Sequence, residues 1–590
     1  MRFIRPLAAP LVAGALLTLA SGLPLASARA DEESKIEAES ASEEAIIGPY
    51  FAGLVAGLRG DATNSADFLL EVVSKVEPAF EVLGPALRAA ISAGRIEEAL
   101  AVAELLTSLD PAGSEPALLL LFTRDTRAEA WEAARDRLTL LPGNNLSNTR
   151  ALLLEAWVTL PEEGVEAALE ILSPLAERRG LTVLHDLHEA LLLDVAGSPK
   201  AAEAYKALLE GEQTPSGRSV MLASNYMARS GDLAGAIALI DRQLNAGRGN
   251  ATLVALREEL ASMPDGQVPD AIVASVSEGV SEVFLQIGAA LADEGPGELA
   301  LQEARMANYA APGNTAAILL LSEVLSRLER HDEAVAGYDL LLDDPRHGRV
   351  AALARADALA SAKRIDEALG AYRALAADRT ESSEPLIRMG NLLRWERRFE
   401  ESREAYDQAV LRSGEPDARD WLLYYFRGIS NERSERWEQA EADFQQALAL
   451  RPDQPQVLNY LGYSWVDRGE NLDEALSMLK RAVELRPQDG YIVDSLGWAL
   501  YKLGDFQGAV TQLERAVELE PGQAVINDHL GDAYWRVGRK REAIIQWQRT
   551  LSLGEDPDIE PAEVELKLVE GLPPVTTAPE NTPESDGGTL

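Results

Sequence analysis

The sequence contains no cysteine among its 590 residues. Without thiols the chain has no disulfides, no thiolate metal ligands and no cysteine nucleophile, and it lacks the cysteine that carries the lipid in exported lipoproteins. Basic residues are outnumbered, with 55 Lys and Arg against 96 Asp and Glu, and the formal net charge is −41. This balance argues against nucleic acid or an anionic membrane surface as a partner, because both carry negative charge themselves.

Strand signals and catalytic signatures are also scarce. Alternating β-branched runs are few, and no Asn-Gly or Asp-Gly hairpin turn separates them. No G-x-S-x-G, H-E-x-x-H or Walker sequence occurs. His185 and His188 are three residues apart in a helical context, but no third or fourth ligand accompanies them. The sequence therefore predicts an all-α protein that is not an enzyme and has no metal site and no cofactor.

A repeated segment is the strongest positive signal. It reads LGYSWVDRG from Leu461, LGWALYKLG from Leu496 and LGDAYWRVG from Leu530. The central glycines of successive copies are 35 and 34 residues apart. A small residue follows each copy, at Ala475, Ala509 and Ala543. A proline ends the first two units, at Pro487 and Pro521. A period near 34 with this pattern is typical of helix–turn–helix repeats, which stack into a solenoid.

Weaker copies extend this repeat toward the N-terminus. The second-helix pattern of a small residue followed four positions later by an aromatic residue recurs at Ala334, Ala368, Ser402 and Ala440. We expect roughly twelve units in all. The glycine of the first helix and the small residue of the second should meet where the two helices cross, because only small side chains let the backbones approach.

Both ends differ from the array. Arg2 and Arg5 precede a short apolar stretch, Leu7 to Ala20, and the sequence Ala28-Arg29-Ala30 follows, which predicts a secretory signal peptide cleaved before Asp31. The mature chain is then a soluble, exported, periplasmic protein without a lipid anchor or a membrane span. The predicted organisation is a signal peptide at 1–30, an acidic flexible leader at 31–48, a degenerate N-terminal half at 49–262, a break at 263–278, an array at 279–553 that is clearest over 458–552, and an acidic, proline-rich, disordered tail at 554–590. The break is either a bend between two halves of one superhelix or a long loop in a continuous array.

These copies resemble the tetratricopeptide repeat (TPR) family, whose pattern is W-x2-L-G-x2-Y followed by Ala, an aromatic residue, Ala and Pro. The resemblance is specific for Leu458 to Ser552, moderate for Gly288 to Pro452 and weak before that. It implies a right-handed superhelix with a concave binding groove. The block from Leu458 to Pro521 is similar to bacterial envelope TPR proteins, some of them lipid-anchored, of which one type is an adaptor for a periplasmic carboxyl-terminal processing protease.

The resemblance also implies which residues line the groove, because particular first-helix positions face it. The candidates are Asn459, Tyr463, Val466, Asp467, Tyr491, Asp494, Trp498, Tyr501, Lys502, Asp528, Asp532, Trp535 and Arg536. The aromatic members are either interface hot spots or ordinary packing against neighbouring helices. A cationic clamp for a carboxylate terminus is ruled out, since its positions hold Asn459, Tyr463, Tyr491, Ser495, Val525 and His529.

Two functions fit these observations. The first is an exported scaffold or adaptor for protein partners of the cell envelope, presenting substrates to a protease. The alternative is a cell-wall or outer-membrane assembly factor that binds peptidoglycan or polysaccharide precursors, since aromatic faces also suit sugars. The partner's identity and the oligomeric state do not follow from the sequence.

Overall fold

The computed structural model describes residues 46–574 except 179, 212–214, 248–250, 265, 296, 379, 381, 555, 557 and 558. Every regular element in this part of the chain is a helix, and none of these helices combines the length and the apolar character that crossing a bilayer requires. The predicted fold class, an all-α solenoid of helix pairs, is confirmed. The predicted signal peptide, and the leader up to residue 45, lie outside the described residues, whereas residues 46–48, predicted as the end of the flexible leader, belong to the first helix. The chain forms two compact units: unit 1 up to Ile365 and unit 2 from Asp366.

Unit 1 contains the helices up to α18. Their bounds are α1 (46–58), α2 (Ala62–Val73), α3 (Phe80–Ser92), α4 (Ile96–Leu109), α5 (Glu115–Arg127), α6 (Trp131–Thr139), α7 (Asn145–Glu163), α8 (Val165–Leu172), α9 (Thr182–Val195), α10 (Ala201–Gly211), α11 (Gly217–Arg229), α12 (Leu233–Asn245), α13 (Ala251–Ala261), α14 (Val276–Glu294), α15 (Glu298–Ala310), α16 (Thr315–Arg327), α17 (His331–Asp339) and α18 (Gly348–Ser361). A 3₁₀ turn, Ser173–Leu175, follows α8.

Unit 2 continues with the helices from α19 onward. Their bounds are α19 (Ile365–Asp378), α20 (Glu384–Trp395), α21 (Phe399–Ser413), α22 (Trp421–Arg433), α23 (Trp437–Leu450), α24 (Pro455–Arg468), α25 (Leu472–Leu485), α26 (Gly490–Lys502), α27 (Phe506–Leu519), α28 (Ala524–Arg536), α29 (Lys540–Ser552) and α30 (Pro561–Glu570). First helices of the repeats are the odd-numbered ones up to α11 and the even-numbered ones from α14 to α28. The next helix in the chain is the second helix of each pair.

Close contact within each pair depends on a glycine in the first helix. A Cβ added to Gly390, Gly428, Gly497 or Gly531 would lie 2.5–2.6 Å from a bulky side chain of the second helix. The side chains contacted are Tyr406, Phe444, Leu513 and Trp547, each four residues after the small residue of the motif. The predicted glycine-to-small-residue contact is seen at Gly462, whose added Cβ would lie 3.0 Å from the Ala475 carbonyl oxygen. The glycine thus forms a notch that admits a large side chain.

The turn inside each pair contains a residue with positive φ. Gly94, Gly231, Gly504 and Gly538 hold this position with φ between 74° and 94°, where glycine carries no Cβ penalty. In other pairs the same position is taken by a charged residue, namely Glu129, Glu329, Lys363, Arg397 and Glu435, with φ between 56° and 62°. The fold therefore keeps one turn geometry across repeats that differ in sequence at this position.

In unit 1 the first helices are covered by later parts of the same unit. α14 packs against α5, α7 and α9, and α15 packs against α3 and α5. The Arg150 guanidinium of α7 bridges Glu115 of α5 at 2.7 Å and Glu303 of α15 at 2.5 Å. Arg218 of α11 pairs with the buried Glu282 of α14. Much of the first-helix face of these repeats is thus filled by the chain itself, although a groove of about 810 Å³ remains among α7, α9, α11 and α14.

Between α13 and α14 the chain is irregular, and its described residues are held against α11. The Asn225 side-chain amide donates to the Asp270 carbonyl oxygen at 2.9 Å, and its oxygen accepts from the Ile272 N–H at 3.3 Å. These two hydrogen bonds satisfy two backbone groups of a segment that is not helical.

The prediction of a disordered tail from residue 554 is corrected at Pro561–Glu570, which forms α30. Proline at the first helical position suits a helix start. Val564, Leu568 and Leu572 pack into the cluster that contains Trp547, so burial of apolar surface stabilises this helix despite the acidic composition around it.

We expect Gly531→Ala to destabilise unit 2. The added methyl group meets the fully buried Trp547 ring, and overpacking of this kind costs about 1–3 kcal/mol. Gly370→Ala is the matched control, because Gly370 is an exposed helical residue with no atom within 4 Å of an added Cβ. That change should stabilise by about 1 kcal/mol. Chemical denaturation followed by circular dichroism measures the free energy of unfolding of both variants. Equal changes in the two variants would contradict a close contact between Gly531 and Trp547.

We expect Arg150→Met to destabilise unit 1 strongly. Burial raises the pKa of Glu303 to about 7 even though Arg150 lowers it, and Glu115 adds to the rise. Loss of the guanidinium leaves two carboxylates uncompensated, at a cost of about 3–5 kcal/mol.

Arg95→Met is the control in the same unit. It breaks two largely exposed ion pairs, with Asp67 and Glu98, each worth about 1 kcal/mol or less. Similar shifts of the thermal midpoint for the two variants would count against a structural role of the buried pair.

Candidate binding groove

A groove of about 800 Å³ lies in unit 2 along the first helices α22, α24, α26 and α28. Its residues are Glu432, Arg433, Glu435, Trp437, Asn459, Tyr460, Tyr463, Ser464, Asp467, Arg468, Tyr491, Asp494, Ser495, Val525 and His529. The notched pairs bring these first helices side by side, so that residues from successive repeats share one surface. All six positions that the resemblance assigns to a carboxylate clamp line this groove.

The middle of the groove combines two tyrosine rings with amide and hydroxyl groups. Tyr491 is 53% exposed and Tyr463 is half-buried. Asn459 donates from Nδ2 to the Ser495 hydroxyl at 3.1 Å, and that hydroxyl donates to the Tyr491 carbonyl oxygen at 3.0 Å. The Asn459 Oδ1 atom is buried without a hydrogen-bond partner in the described structure.

The charges on the groove walls are mostly acidic and mostly engaged. Asp494 accepts from His529, Asp467 pairs with Lys502 at 3.2 Å, and Glu432 accepts from the Tyr460 hydroxyl at 3.1 Å. Two cations, Arg433 and Arg468, lie on the same walls, and the Arg468 guanidinium stacks over the Trp437 ring at 4.8 Å. The mixed charge suits polar recognition more than binding of a purely apolar ligand.

Three of the candidate aromatics pack against other rings. The Trp498 ring lies parallel to Tyr501 at 4.6 Å and to His529 at 3.9 Å. His529 joins two repeats, because its Nδ1 atom is 3.0 Å from Asp494 Oδ1. Trp535 packs against Trp547, with ring centroids 5.4 Å apart. The structure thus uses Trp498, Tyr501 and Trp535 as packing contacts, the second of the two interpretations left open for the aromatics.

The C-terminal candidates are covered by the chain itself. Lys567 of α30 lies 2.7 Å from Asp528 and 2.9 Å from Asp532. The Arg536 guanidinium donates to the Pro573 carbonyl oxygen at 2.6 Å and to the Tyr501 hydroxyl at 3.1 Å. Gly571 lies directly against the Trp535 ring. Asp528, Asp532, Trp535 and Arg536 are therefore not part of the open groove, and Val466 is buried in the core of unit 2.

Sequence reasoning missed several groove residues. Glu432, Arg433, Glu435 and Trp437 come from the preceding repeat, where the TPR pattern is weaker. The signal that could have placed them is the small-residue motif at Ala440, which fixes the register of α22 and α23 relative to the clear copies.

The two histidines considered as metal ligands differ in burial and in their partners. His188 is fully buried and accepts from the Trp157 indole N–H at 3.0 Å, and burial lowers its pKa to about 4. His185 lies near the surface of the same helix, α9, and its Nδ1 atom is 2.8 Å from Asp186 Oδ1. Together with Glu189 these side chains bring three ligand atoms within 4.8 Å of one another. Two carboxylate–imidazole contacts account for this geometry, since the same His185 Nδ1 atom also lies 3.9 Å from Glu189 Oε2.

Comparison with known proteins places TPR repeats over the groove. Residues 427–490 and 495–558 match a family model described as tetratricopeptide repeat, so this part of the chain consists of TPR units. No curated protein was found that matches the sequence.

Among solved structures, a chain of the APC/C hetero-tetramer Cut9–Hcn1 is 16% identical, with 83% of this chain and 97% of that chain covered and a TM-score of 0.35. YrrB, a TPR protein with an unusual peptide-binding site, is 20% identical over 31% of this chain and 92% of its own, with a TM-score of 0.27. A tetratricopeptide repeat protein from Parabacteroides merdae is 14% identical over 49% and 97%, with a TM-score of 0.35. Similarity at this level carries no argument about function.

We expect the stability of unit 2 to decrease as the pH rises above about 6.5, the ordinary pKa of histidine. Burial by itself would lower the pKa of His529, but the carboxylates of Asp494, Asp528 and Asp532 outweigh it and raise this pKa. The folded state then holds a proton that the unfolded state has lost, so the stabilisation present below pH 6.5 is lost as the pH passes the raised value.

His529→Gln should remove this pH dependence. The measurement is a series of denaturation midpoints from about pH 6 to pH 9, compared between the two proteins. His188 lies in unit 1 and is common to both proteins, so its own contribution to the pH dependence cancels in the comparison. A parallel pH profile in the variant would show that His529 is not the responsible group.

Proposed function

We propose that this protein is an exported TPR scaffold of the cell envelope that binds protein partners in the groove of unit 2 and is not an enzyme. The observation that carries the proposal is that groove, which four successive first helices line with two accessible tyrosines and several polar groups. Large aromatic residues beside hydrogen-bonding groups are typical of interface hot spots. A groove that runs across several repeats suits an extended segment of a partner, because each repeat contributes one set of contacts.

Export and periplasmic location are supported by the N-terminal sequence. Arg2 and Arg5, the apolar stretch that follows and the Ala28-Arg29-Ala30 site are typical of a cleaved secretory signal. The absence of cysteine fits a protein that needs neither a disulfide nor a lipid anchor. Within the envelope, we propose that the groove presents substrates to a carboxyl-terminal processing protease, as the similarity of the block from Leu458 to Pro521 suggests.

The groove of unit 2 is the better candidate surface for a partner than the equivalent face of unit 1. In unit 1 the first helices α3, α5, α7 and α9 are covered by α14 and α15. A partner there would have to displace buried ion pairs such as Arg150 with Glu303. In unit 2 the groove is already open, so binding requires no rearrangement of the core.

We expect the double substitution Tyr463→Ala and Tyr491→Ala to weaken capture of the partner at least tenfold. Both rings line the groove, and truncation of a hot-spot aromatic costs about 2 kcal/mol or more. Trp395→Ala is the matched control, because this ring is 76% exposed and lies outside the groove. The measurement is affinity capture of the mature protein from envelope extract, with partners identified and quantified by mass spectrometry.

The same capture distinguishes the two candidate functions. A polysaccharide-binding role is favoured by the accessible face of Tyr491, since exposed aromatic rings can stack on sugars. Sedimentation with purified cell wall that has been stripped of protein tests this role directly. Retention of protein partners that depends on the two tyrosines supports the scaffold, whereas dependence seen only with cell wall supports the assembly factor. Retention by the double variant equal to that of wild type removes the groove from either account.

A further inference from the structure

The groove of unit 2 contains one aromatic side chain that is open to solvent, Tyr491 in the first turn of α26. It is 53% exposed, whereas the other tryptophan and tyrosine side chains that line the groove, Trp437, Tyr460 and Tyr463, are half-buried. An exposed aromatic ring in a groove can bind a ligand through its face. The groups around the ring then decide which kind of ligand it prefers.

Two carboxylates lie beside Tyr491. Asp489 is the N-cap of α26, and its Oδ1 atom accepts from the Ile492 N–H at 3.3 Å. Glu520, directly after α27, lies against Gly490, where an added Cβ would be 2.5 Å from the Glu520 Cγ atom. The chain thus supplies one acidic group through the start of the same helix and the other through the packing of the following helix.

These carboxylates are not neutralised by the chain. Within the described residues neither Asp489 nor Glu520 forms an ion pair. Arg515 donates to the backbone carbonyl oxygen two residues before Asp489, but it pairs with neither carboxylate. Burial raises the pKa of the Tyr491 hydroxyl, and the carboxylates of Glu520, Asp556 and Asp489 add to the rise. The surroundings of the ring are therefore negative, which favours a cation as the ligand.

The other end of the groove adds further carboxylates. Glu432 and Glu435 line it, and neither forms an ion pair within the part of the chain that the structure describes. Of the two arginines on the same walls, Arg468 is neutralised by Glu470 at 3.2 Å, whereas Arg433 forms no ion pair among the described residues. Together with the two carboxylates beside the tyrosine ring, the groove holds more unpaired negative than positive groups.

The chain itself shows which ligand the first-helix face binds. Lys567 of α30 comes from outside the repeats and places its amine 2.7 Å from Asp528 and 2.9 Å from Asp532, both on α28. Asp528 follows Asp494 of the groove by 34 residues and holds the equivalent position in the next first helix. Where the chain covers this face, a lysine amine is thus the group that meets its carboxylates.

We propose that the partner segment bound in this groove is basic and that it places a lysine or arginine side chain over the Tyr491 ring, between Asp489 and Glu520. The inference rests on the proposed function and extends it by naming the chemistry of the partner. A cation in this position is attracted both by the face of the ring and by the two carboxylates. The formal net charge of −41 also steers basic partners toward the protein and repels acidic ones.

Three fluorescent peptides of equal length test the preference for charge. Their sequences alternate alanine with lysine, with glutamine or with glutamate, and the protein is the exported chain from Asp31. Fluorescence anisotropy at low ionic strength should show that the lysine peptide binds about tenfold more tightly than the glutamine peptide and that the glutamate peptide binds least. Added salt should weaken the binding of the lysine peptide, because it screens the charges.

Substitutions then locate the binding site of the lysine peptide. Asp489→Asn combined with Glu520→Gln should weaken its binding about fivefold or more, and Tyr491→Ala should do the same. Asparagine is also a good N-cap, so α26 keeps its start. Asp473→Asn combined with Glu474→Gln is the matched control, because it removes the same charge from the exposed first turn of α25, outside the groove. The control should leave binding unchanged, and circular dichroism checks that each variant retains its helices.

Several outcomes would overturn the basic partner. Tighter binding of the glutamate peptide would assign recognition to Arg433 and Arg468, and equal binding of all three peptides, or of none, would remove charge from the account. Equal losses in the groove variant and its control would show that the whole acidic surface attracts the peptide. Failure of the proposed function is a separate result: if capture of envelope partners depends on Tyr463 and Tyr491 while the peptides show no preference, the scaffold stands and the basic partner falls. If the lysine peptide needs Tyr491 but no envelope protein is retained, the cation site stands and the scaffold falls.

Discussion

The close contact between a first-helix glycine and a large second-helix side chain is the constraint on which the rest of this structure depends. Gly390, Gly428, Gly497 and Gly531 all admit a ring or a leucine that would clash with any Cβ. The contact fixes the crossing point of each pair, and thereby the register of successive first helices. Because the register repeats, side chains from α22, α24, α26 and α28 meet in one groove. The groove is thus a product of packing inside the pairs.

The face formed by the first helices is largely buried in unit 1 and largely exposed in unit 2. In unit 1 it is buried under α14 and α15, which bring arginines and glutamates such as Arg150 and Glu303 together in the interior. Burial of paired charges gains little stability compared with apolar packing, but it penalises any arrangement that separates them. In unit 2 the equivalent face remains open over several repeats and closes only where Lys567 meets Asp528 and Asp532. The groove that results in unit 2 combines residues of four first helices.

Sequence periodicity was sufficient to predict the helix pairs, the fold class and the position of the glycine notch, because these depend on residues close together in the chain. It was not sufficient for contacts between distant segments. Arg150 and Glu303 are 153 residues apart, and no local sequence pattern predicts their pairing. Helix α30 was not predicted because prolines and acidic residues surround it, although Val564 and Leu568 are four residues apart, as on one face of a helix. Asp528 and Asp532 are covered by Lys567 of that helix, and Trp535 and Arg536 are contacted by Gly571 and Pro573 just after it.

The turn within the helix pairs has a further consequence for where the array is weakest. Four consecutive pairs, from α16–α17 to α22–α23, place Glu329, Lys363, Arg397 and Glu435 in the left-handed region instead of glycine. Each such residue carries a steric cost of about 1–2 kcal/mol. Since the stability of a repeat array is close to a sum over repeats and their neighbours, these costs accumulate in one contiguous stretch. Thermal fraying should then begin inside the chain, in these four pairs, while both flanking blocks of repeats are still folded.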